Sequence, residues 1–337
     1  MLEPLPRFPS VTAHHCISGS VWRIYLFHDY PVSEEMLLGL GGGVGFIYWH
    51  MRGQPPFIGG RANARGDQFE LLVGERTGVK VETHTTSSAA RAERALLQML
   101  QGGEPVMMMV DMGFLPYFDF GGHDYHFGGH AVVAAGYDAG ARQVLIADRD
   151  GHYPVRLEIL ARARGSTYRP FPPLHRWYTF DFSGKRPISA GELRRAIVEQ
   201  VEGMLHPPIQ NFGVAGIRKA AQAIPGWPRM LDQETLRVTL FNCYAFIDAK
   251  GGTGGGIFRY MFSRFLREAA TMIGEPRLEQ VATDLQQIGD RWQVLAEMFR
   301  SASAVGDPAP LLTEMRPLLL EIAGREEVAW GRLGEVV

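Results

Sequence analysis

The sequence predicts an α+β domain over residues 1–183, followed by an all-α helical domain over residues 184–337. Three observations predict this fold class. The chain has 337 residues, enough for two domains of about 150 residues each. Over the first 180 residues, short apolar runs alternate with helical patterns. After Ser189 only helical patterns remain.

Five short segments of the first domain have the composition of β-strands. Each is rich in β-branched, aliphatic or aromatic residues and is bounded by turn residues. They are residues 79–83, 106–110, 130–136, 144–147 and 177–182. A helix is predicted over residues 87–101, because Ser88 can cap it and Ala92, Leu96 and Leu100 recur at four-residue spacing.

The second domain shows helix start signals with apolar residues at helical spacing behind them. Ser189 and Glu192 have the spacing of a capping box, Asp232 can cap the next helix, and Pro276 stands at the start of another. Further helices are predicted over residues 257–273 and 310–324. The domain boundary is placed within residues 182–188.

Composition excludes several classes of protein. Lys and Arg total 34 and Asp and Glu 36, a net charge of −2 that does not suit a strongly basic nucleic-acid binder. Two cysteines cannot form a disulfide framework, so a reducing cytoplasm is expected. No apolar run reaches the length of a membrane span, and no signal segment is expected near the N-terminus.

Cys16 is the first candidate for chemistry. It precedes a predicted helix over residues 17–27, and the positive end of a helix lowers the pKa of a thiol. The alternative is a buried, inert cysteine, but His14, His15 and Ser18 give Cys16 polar neighbours. Cys243 lies in an apolar helix and fits the inert alternative.

A predicted hairpin brings a histidine and a carboxylate together. His130 starts the first strand, and Asp148 follows the second, so the two ends lie side by side. A carboxylate in that position orients a catalytic base, although a histidine at a strand start is more often only packed or exposed. Asp138 and Asp150 are also near the hairpin ends and stay open as alternatives. Cys, His and Asp occur in the chain order of papain-like catalysis.

Several motifs resemble the butirosin biosynthesis protein H N-terminal family. In the first domain they are His15-Cys-Ile-Ser-Gly-Ser20, Ser33-Glu-Glu-Met-Leu-Leu-Gly-Leu-Gly-Gly-Gly43, Gly103-Glu-Pro-Val106, Asp111 with Leu115-Pro-Tyr117, and Gly129-His-Ala-Val-Val133. The block from Asp248 to Ala269 resembles the helical domain often found behind that family.

The resemblance implies a papain-like fold, distantly similar to bacteriocin-processing double-glycine peptidases. It implies that Cys16 is the nucleophile, His130 the base and Asp148 the orienting acid. Those peptidases have a Gln shortly before the Cys that helps to bind the oxyanion, and no Gln precedes Cys16. Backbone N–H groups at the helix start, His14 or His15 are the alternatives for this role.

Further residues are predicted to bind substrate. In the first domain they are His15, Ser18, Glu35 and Tyr117. The Gly-rich loop 251–256 lacks the P-loop ending, but it opens a helix bearing Arg259. Gly254, Gly255 and Arg259 are therefore predicted to receive an anionic group such as a phosphopantetheine phosphate, against the alternative of a plain turn.

Two other patterns are interpreted as structural. The glycines of residues 39–45 do not have dinucleotide-binding spacing, so close backbone packing near the active site is predicted. His123, His126 and His130 lie in a Gly-rich segment with loose spacing, so a solvent-facing loop is preferred to a metal site.

The expected function is that of a cysteine acyltransferase in specialised-metabolite biosynthesis, because the named member of the family moves an acyl group from an acyl carrier protein to an amine. A cysteine hydrolase or peptidase and a non-catalytic binding protein are the alternatives. The expected partners are an acyl carrier protein or small acyl thioester and an amine-bearing small molecule, with a homodimer as an open option. No nucleic acid, membrane or cofactor is expected, apart from phosphopantetheine carried by a partner.

Overall fold

The computed structural model describes residues 2–51, 54–59, 68–120, 125–169, 171–250 and 255–337. Its helices and strands are, in chain order, α1 (Cys16–Phe27), α2 (Glu34–Leu40), β1 (Ile47–Trp49), β2 (Phe57–Gly59), α3 (Gln68–Thr77), β3 (Lys80–His84), α4 (Ala89–Gln101), β4 (Val106–Val110), β5 (His130–Asp138), β6 (Gln143–Ala147), β7 (His152–Arg156), α5 (Leu157–Arg164), β8 (Trp177–Asp181), α6 (Ala190–Leu205), α7 (Gly213–Ala223), α8 (Gln233–Ile247), α9 (Gly256–Ile273), α10 (Arg277–Ala304) and α11 (Ala309–Val336). The predicted fold class, α+β followed by helices, is confirmed.

The chain forms two compact units. One comprises Met1–Leu37 and Thr77–Arg186, and the other Leu38–Arg76 and Pro187–Val337. The later crossing, after Arg186, lies close to the predicted boundary at residues 183–184. Residues 38–76 differ from the prediction, because they belong to the unit that holds the C-terminal helices. Below, the two are called the sheet unit and the helical unit.

The sheet unit is built on six antiparallel strands in the order β3-β8-β4-β5-β6-β7. Strands β5 and β6 form the predicted hairpin, with a register shift between Ala134 and Gly136. In the β4–β5 pair, His130 lies opposite Val110. The hairpin therefore places the start of β5 next to the end of β6, at one end of the sheet.

Both faces of the central strands are buried. Alternate side chains of a strand point to opposite faces of the sheet. The first set, on one face, packs with α4 and α5. The second set, on the other face, points toward α1, which contacts β5 and β4. The first set is Val106, Met108, Val110, Val132 and Ala134, with Leu96, Leu100, Leu157 and Leu160 from the helices. This two-sided burial fixes α1 against the strand that carries His130.

Several helix starts are where the sequence predicts them. Ser88 accepts a hydrogen bond from the backbone N–H of Arg91, Ser189 from that of Glu192, and Asp232 from that of Thr235. These three N-caps satisfy N–H groups that have no partner within their helices.

The helical unit is centred on α10, which contacts α8, α9 and α11, while α6 and α7 pack on α11. It also contains the hairpin of β1 and β2. The glycines predicted to pack closely do so, but inside this unit: a Cβ on Gly39 would lie 2.4 Å from the Phe265 ring, and one on Gly41 2.2 Å from the Phe69 ring. The predicted close packing of these glycines is confirmed. They lie, however, in the helical unit and not in the sheet unit.

In the part of the chain that the structure describes, no helix has an apolar stretch long enough to cross a bilayer.

Candidate active site

Cys16 is the first residue of α1 and is 7% exposed. His15 is the N-cap of the helix, with an extended backbone (φ −133°, ψ 145°). Its Nδ1 accepts a hydrogen bond from the backbone N–H of Ser18 over 3.4 Å. The thiol therefore lies at the positive end of the helix.

A buried carboxylate, that of Glu34, holds the residues before this helix. Its Oε2 accepts from the backbone N–H of His14 (2.7 Å), and its Oε1 from the backbone N–H of His15 (2.9 Å) and the hydroxyl of Ser18 (2.7 Å). The motif predicts a role for the neighbouring Glu35, whose carboxylate lies 3.4 Å from Nε2 of His14. The sequence patterns do not select Glu34. The only signal for it in the sequence is that it is an acidic residue next to Glu35.

The hairpin brings His130 and Asp148 together. Nε2 of His130 lies 2.7 Å from Oδ2 of Asp148. An ionised carboxylate only accepts hydrogen bonds, so Nε2 carries the proton and Nδ1 is the ring nitrogen left for the thiol. The alternative acids lie elsewhere: Asp150 accepts from the hydroxyl of Tyr153, and Asp138 ends β5 at the turn.

Other groups hold Asp148 in place. Its Oδ2 also accepts from the hydroxyl of Tyr117 over 3.0 Å, and its Oδ1 from the backbone N–H of Arg149 over 2.7 Å. Nη2 of Arg23, a buried residue of α1, donates to the carbonyl oxygens of Asp148 and Arg149. The helix that carries the thiol is thus tied directly to the turn that carries the acid.

The pKa of Cys16 lies well below that of an ordinary thiol. Burial alone would raise it. Electrostatic attraction to His15 and His130 and hydrogen bonds to both imidazoles outweigh this effect. The thiol is therefore favoured as the thiolate, the form that acts as a nucleophile.

The acid–base pair is shifted in opposite directions. Burial lowers the pKa of His130, but the charge and hydrogen bond of Asp148, together with Cys16, raise it to about 10. Burial raises the pKa of Asp148, but the charge and hydrogen bond of His130 lower it to about 2. At neutral pH these pKa shifts favour Cys16 as a thiolate, His130 as an imidazolium and Asp148 as a carboxylate.

Aromatic rings surround the pair. Tyr117 stacks on Tyr153 with ring centroids 4.0 Å apart, and Phe118 meets the His130 ring edge-on at 5.5 Å. Burial first, and then the charge of Asp148, raise the pKa of Tyr117, so its hydroxyl stays protonated and donates to the acid. The structure thus places Tyr117, a predicted substrate-binding residue, behind Asp148.

Cys243 lies in a different environment. It is buried in α8, and burial raises the pKa of its thiol above the ordinary value. Its surroundings are those of an inert cysteine, as the apolar sequence around it predicts.

Arg259 and Gly255 lie in the helical unit, whereas Cys16, His130 and Asp148 lie in the sheet unit. The Arg259 side chain is fully buried; it donates from Nε to Glu326 (2.7 Å) and from Nη1 to the Gly45 carbonyl (3.0 Å). Gly255 is the N-cap of α9. These contacts give Arg259 a structural role within the helical unit, and its predicted role toward an anion stays a prediction. Gly254 lies outside the described residues.

The segment considered for a metal is described only in part, because His123 lies outside the described residues. Nδ1 of His126 lies 2.9 Å from Oδ2 of Asp111, which also accepts from the hydroxyl of Ser166 (2.6 Å). Within the described residues no group of three or more His, Cys, Asp or Glu side chains forms a potential metal site.

Two family models match the chain. Residues 15–149 match the model described as butirosin biosynthesis protein H, N-terminal, and residues 158–333 match the domain of unknown function DUF4872. A comparison with curated proteins finds no match. The first range contains Cys16, His130 and Asp148. The second begins in α5 of the sheet unit, so the boundary between the two models does not coincide with the boundary between the compact units.

Proposed function

We propose that this protein is a biosynthetic enzyme of specialised metabolism. The chain belongs to the butirosin biosynthesis protein H N-terminal family and carries a DUF4872 domain behind it. Its proposed reaction is acyl transfer through Cys16. The family name supports the biosynthetic role. The observation that carries the reaction is the pairing of His130 with Asp148 over 2.7 Å, together with the lowered pKa of Cys16, to which both His15 and His130 contribute.

In the first half of the proposed reaction, the Cys16 thiolate attacks the carbonyl carbon of an acyl thioester. A carbon–sulfur bond to Cys16 forms, and the carbonyl oxygen becomes an oxyanion. When this intermediate collapses, the bond to the donor sulfur breaks, and the leaving thiolate takes the proton from Nδ1 of His130. Asp148 stabilises the imidazolium until that proton leaves.

In the second half, an amine attacks the acyl-Cys16 thioester. His130 is now neutral, and its Nδ1 accepts the amine proton as the new carbon–nitrogen bond forms. The bond to Cys16 then breaks, and the thiolate is restored beside the imidazolium. Thioesters are already reactive, so activation and positioning of the two reactants dominate the rate gain.

The proposed partners follow from this chemistry. The donor is an acyl carrier protein or a small acyl thioester, and the acceptor is an amine-bearing small molecule. The chain itself needs no cofactor in this scheme, because phosphopantetheine arrives on the donor. A free catalytic thiol suits a reducing compartment, so a cytoplasmic setting belongs to the proposal.

The test is intact-protein mass spectrometry after incubation with acyl-pantetheine thioesters of varied chain length. The expected result is a single acyl adduct that disappears when an amine panel is added, with the amide as product. Cys16→Ser should abolish the adduct, and Cys243→Ser, the matched control, should leave it unchanged.

Two outcomes would contradict the proposal. An adduct that only water discharges would make the protein a cysteine hydrolase or peptidase. A thiol that forms no adduct with any donor, while the protein still binds one of them, would favour a non-catalytic binding protein.

A further inference from the structure

We propose that His15 is a second catalytic histidine, whose Nε2–H stabilises the oxyanion formed when Cys16 attacks an acyl carbon. This inference rests on the proposed acyl chemistry at Cys16. It assigns to His15 the stabilisation of the oxyanion, for which this chain has no Gln before Cys16. His15 then donates a hydrogen bond to the oxyanion, whereas His130 exchanges a proton with the thiol.

The position of the His15 ring is the first argument. Nε2 of His15 lies 3.8 Å from Sγ of Cys16, and the residue is 3% exposed. A carbonyl oxygen on a carbon bonded to Sγ is only two bonds from the sulfur. A donor at this distance from Sγ is therefore placed to approach that oxygen to the about 2.7–3.1 Å that oxyanion donors need. Burial strengthens the interaction, because water competes less for the charge.

The helix cap decides which nitrogen carries the proton. Nδ1 of His15 accepts the backbone N–H of Ser18, so a neutral His15 has its proton on Nε2, toward the sulfur. If the ring is cationic, Nδ1–H faces the Ser18 hydroxyl oxygen at 3.3 Å and Nε2 still carries its proton. In both forms Nε2 is a donor, and it cannot take a proton from the thiol.

His130 has the opposite arrangement. Its Nε2 is protonated toward Asp148, which leaves Nδ1 for proton exchange with Cys16. The base and the oxyanion donor are thus distinguished by the partner of the other ring nitrogen: a carboxylate for His130 and a helix N–H for His15.

Glu34 is the positioning residue for this cap. Its Oε1 accepts both the backbone N–H of His15 and the hydroxyl of Ser18, so the two residues that fix the His15 ring share one buried oxygen. The other imidazole suggested for the role, that of His14, is 52% exposed and lies at Glu35, 3.4 Å from its carboxylate. The structure therefore favours His15 over His14.

The experiment compares two reactions of the same thiol. Acetylation by p-nitrophenyl acetate passes through an oxyanion, whereas alkylation by iodoacetamide does not. His15→Asn keeps an N-cap side chain, but its amide is too short to place a donor where Nε2 of the imidazole lies. We expect acetylation of this variant to fall about 100- to 1,000-fold. Its alkylation rate, taken on the plateau of each pH profile, should stay within about threefold of the wild type, since the thiolate itself remains.

His14→Asn is the matched control and should leave both rates within about twofold. His15→Gln should recover part of the acetylation, because its longer side chain carries an amide N–H donor closer to the sulfur than Asn does. Equal losses in both reactions of His15→Asn would mean a structural role, and unchanged acetylation would remove His15 from catalysis. A wild-type acetyl-enzyme that no amine discharges would overturn the proposed acyl transfer but leave this inference standing.

Discussion

The two thiols of this chain are both buried, yet their pKa values are shifted in opposite directions. Burial raises the pKa of each, because removing a charge from water is unfavourable. At Cys16 two imidazoles overcome this effect, and at Cys243 burial dominates. Chemical reactivity in this chain is therefore decided by the nearest polar groups and not by solvent exposure.

This contrast predicts selective labelling. In brief treatment with iodoacetamide at about pH 6.5, Cys16 should be modified first, since an ordinary thiol with a pKa of about 8.5 is almost wholly protonated there. Peptide mass spectrometry of the wild type measures the modification at each cysteine. Cys243→Ser should be labelled at the wild-type rate, and preferential modification of Cys243 would refute the assignment.

The carboxylate behind His130 has an effect that pH profiles can resolve. Asp148 raises the pKa of His130 to about 10, so the imidazolium beside the thiolate is present below that pH and is lost as pH rises through it. In Asp148→Asn the pKa of His130 should fall and that of Cys16 should rise. The pH range in which thiolate and imidazolium coexist then narrows from both sides.

We expect Asp148→Asn to lower the acylation rate at least about 100-fold, by analogy with other triads, and to move the alkylation profile of Cys16 to higher pH. Stopped-flow acylation and iodoacetamide kinetics across pH measure these two effects. Asp150→Asn is the matched control, because Asp150 accepts from Tyr153 and not from His130. If Asp150→Asn lowered the acylation rate more than Asp148→Asn did, Asp150 and not Asp148 would be the acid that orients His130.

At the scale of single residues, the sequence predicts those whose type limits their chemistry. Cys16 and His130 are such residues, and the hairpin spacing adds Asp148. Glu34 could not be chosen over Glu35, because only the three-dimensional path of the chain turns one of two adjacent acids toward the start of α1. Tyr117 was found by its motif, but its contact with Asp148 depends on a loop that has no periodic pattern.

At the scale of elements, the strands that the sequence predicts are those with a regular apolar pattern. Such a pattern arises where one or both faces of a strand are buried. Residues 106–110, for example, are five consecutive buried residues, and their predicted bounds match β4. The strands β1 and β2 have three residues each, too few for a period of two to be recognised. The helix α3 has weakly segregated polar and apolar residues, so its sequence gives little periodic signal.

The buried ion pair of α9 and α11 gives a prediction at this scale. Glu326 accepts from Arg259, from Nε1 of Trp292 (2.9 Å) and from Nε1 of Trp330 (2.6 Å). Arg259→Met should leave a buried carboxylate without its cation and lower the free energy of unfolding by about 3–5 kcal/mol. Arg218→Met, which breaks the exposed pair of Arg218 with Glu327, should cost less than about 1 kcal/mol.

Urea denaturation of the three proteins measures these differences. A fully stable Arg259→Met variant that loses acyl-donor binding would contradict the structural role and restore the predicted role of Arg259 toward an anionic group.

At the scale of the whole molecule, the chain crosses between its two units three times, after Leu37, after Arg76 and after Arg186. A sequence pattern shows where helices replace strands, and it locates the last crossing. It does not show that an earlier segment folds with a later one, because that pairing depends on contacts between residues more than a hundred positions apart. The backbone N–H of Val44, for example, donates to Oε1 of Gln200.

The discontinuous helical unit predicts how fragments behave. A fragment of residues 1–186 retains residues 38–76 but lacks their partners, which include Gln200 for Val44 and the Asn211 carbonyl for the backbone N–H of Tyr48. Val44, Phe46 and Phe69 are buried in the intact protein, and burial of each such side chain is worth about 1.5–3 kcal/mol. Exposing them should make this fragment insoluble when it is expressed alone.

Co-expression with a separate fragment of residues 187–337 should restore solubility, because residues 38–76 then regain the helices they pack with. The two fragments should also purify together, and Cys16 in the pair should again react with iodoacetamide at about pH 6.5. The soluble fraction, copurification and Cys16 labelling are the three measurements. If residues 1–186 alone were soluble and monomeric, with Cys16 labelled as in the full chain, residues 38–76 would not need the C-terminal helices, and the discontinuous unit would be wrong.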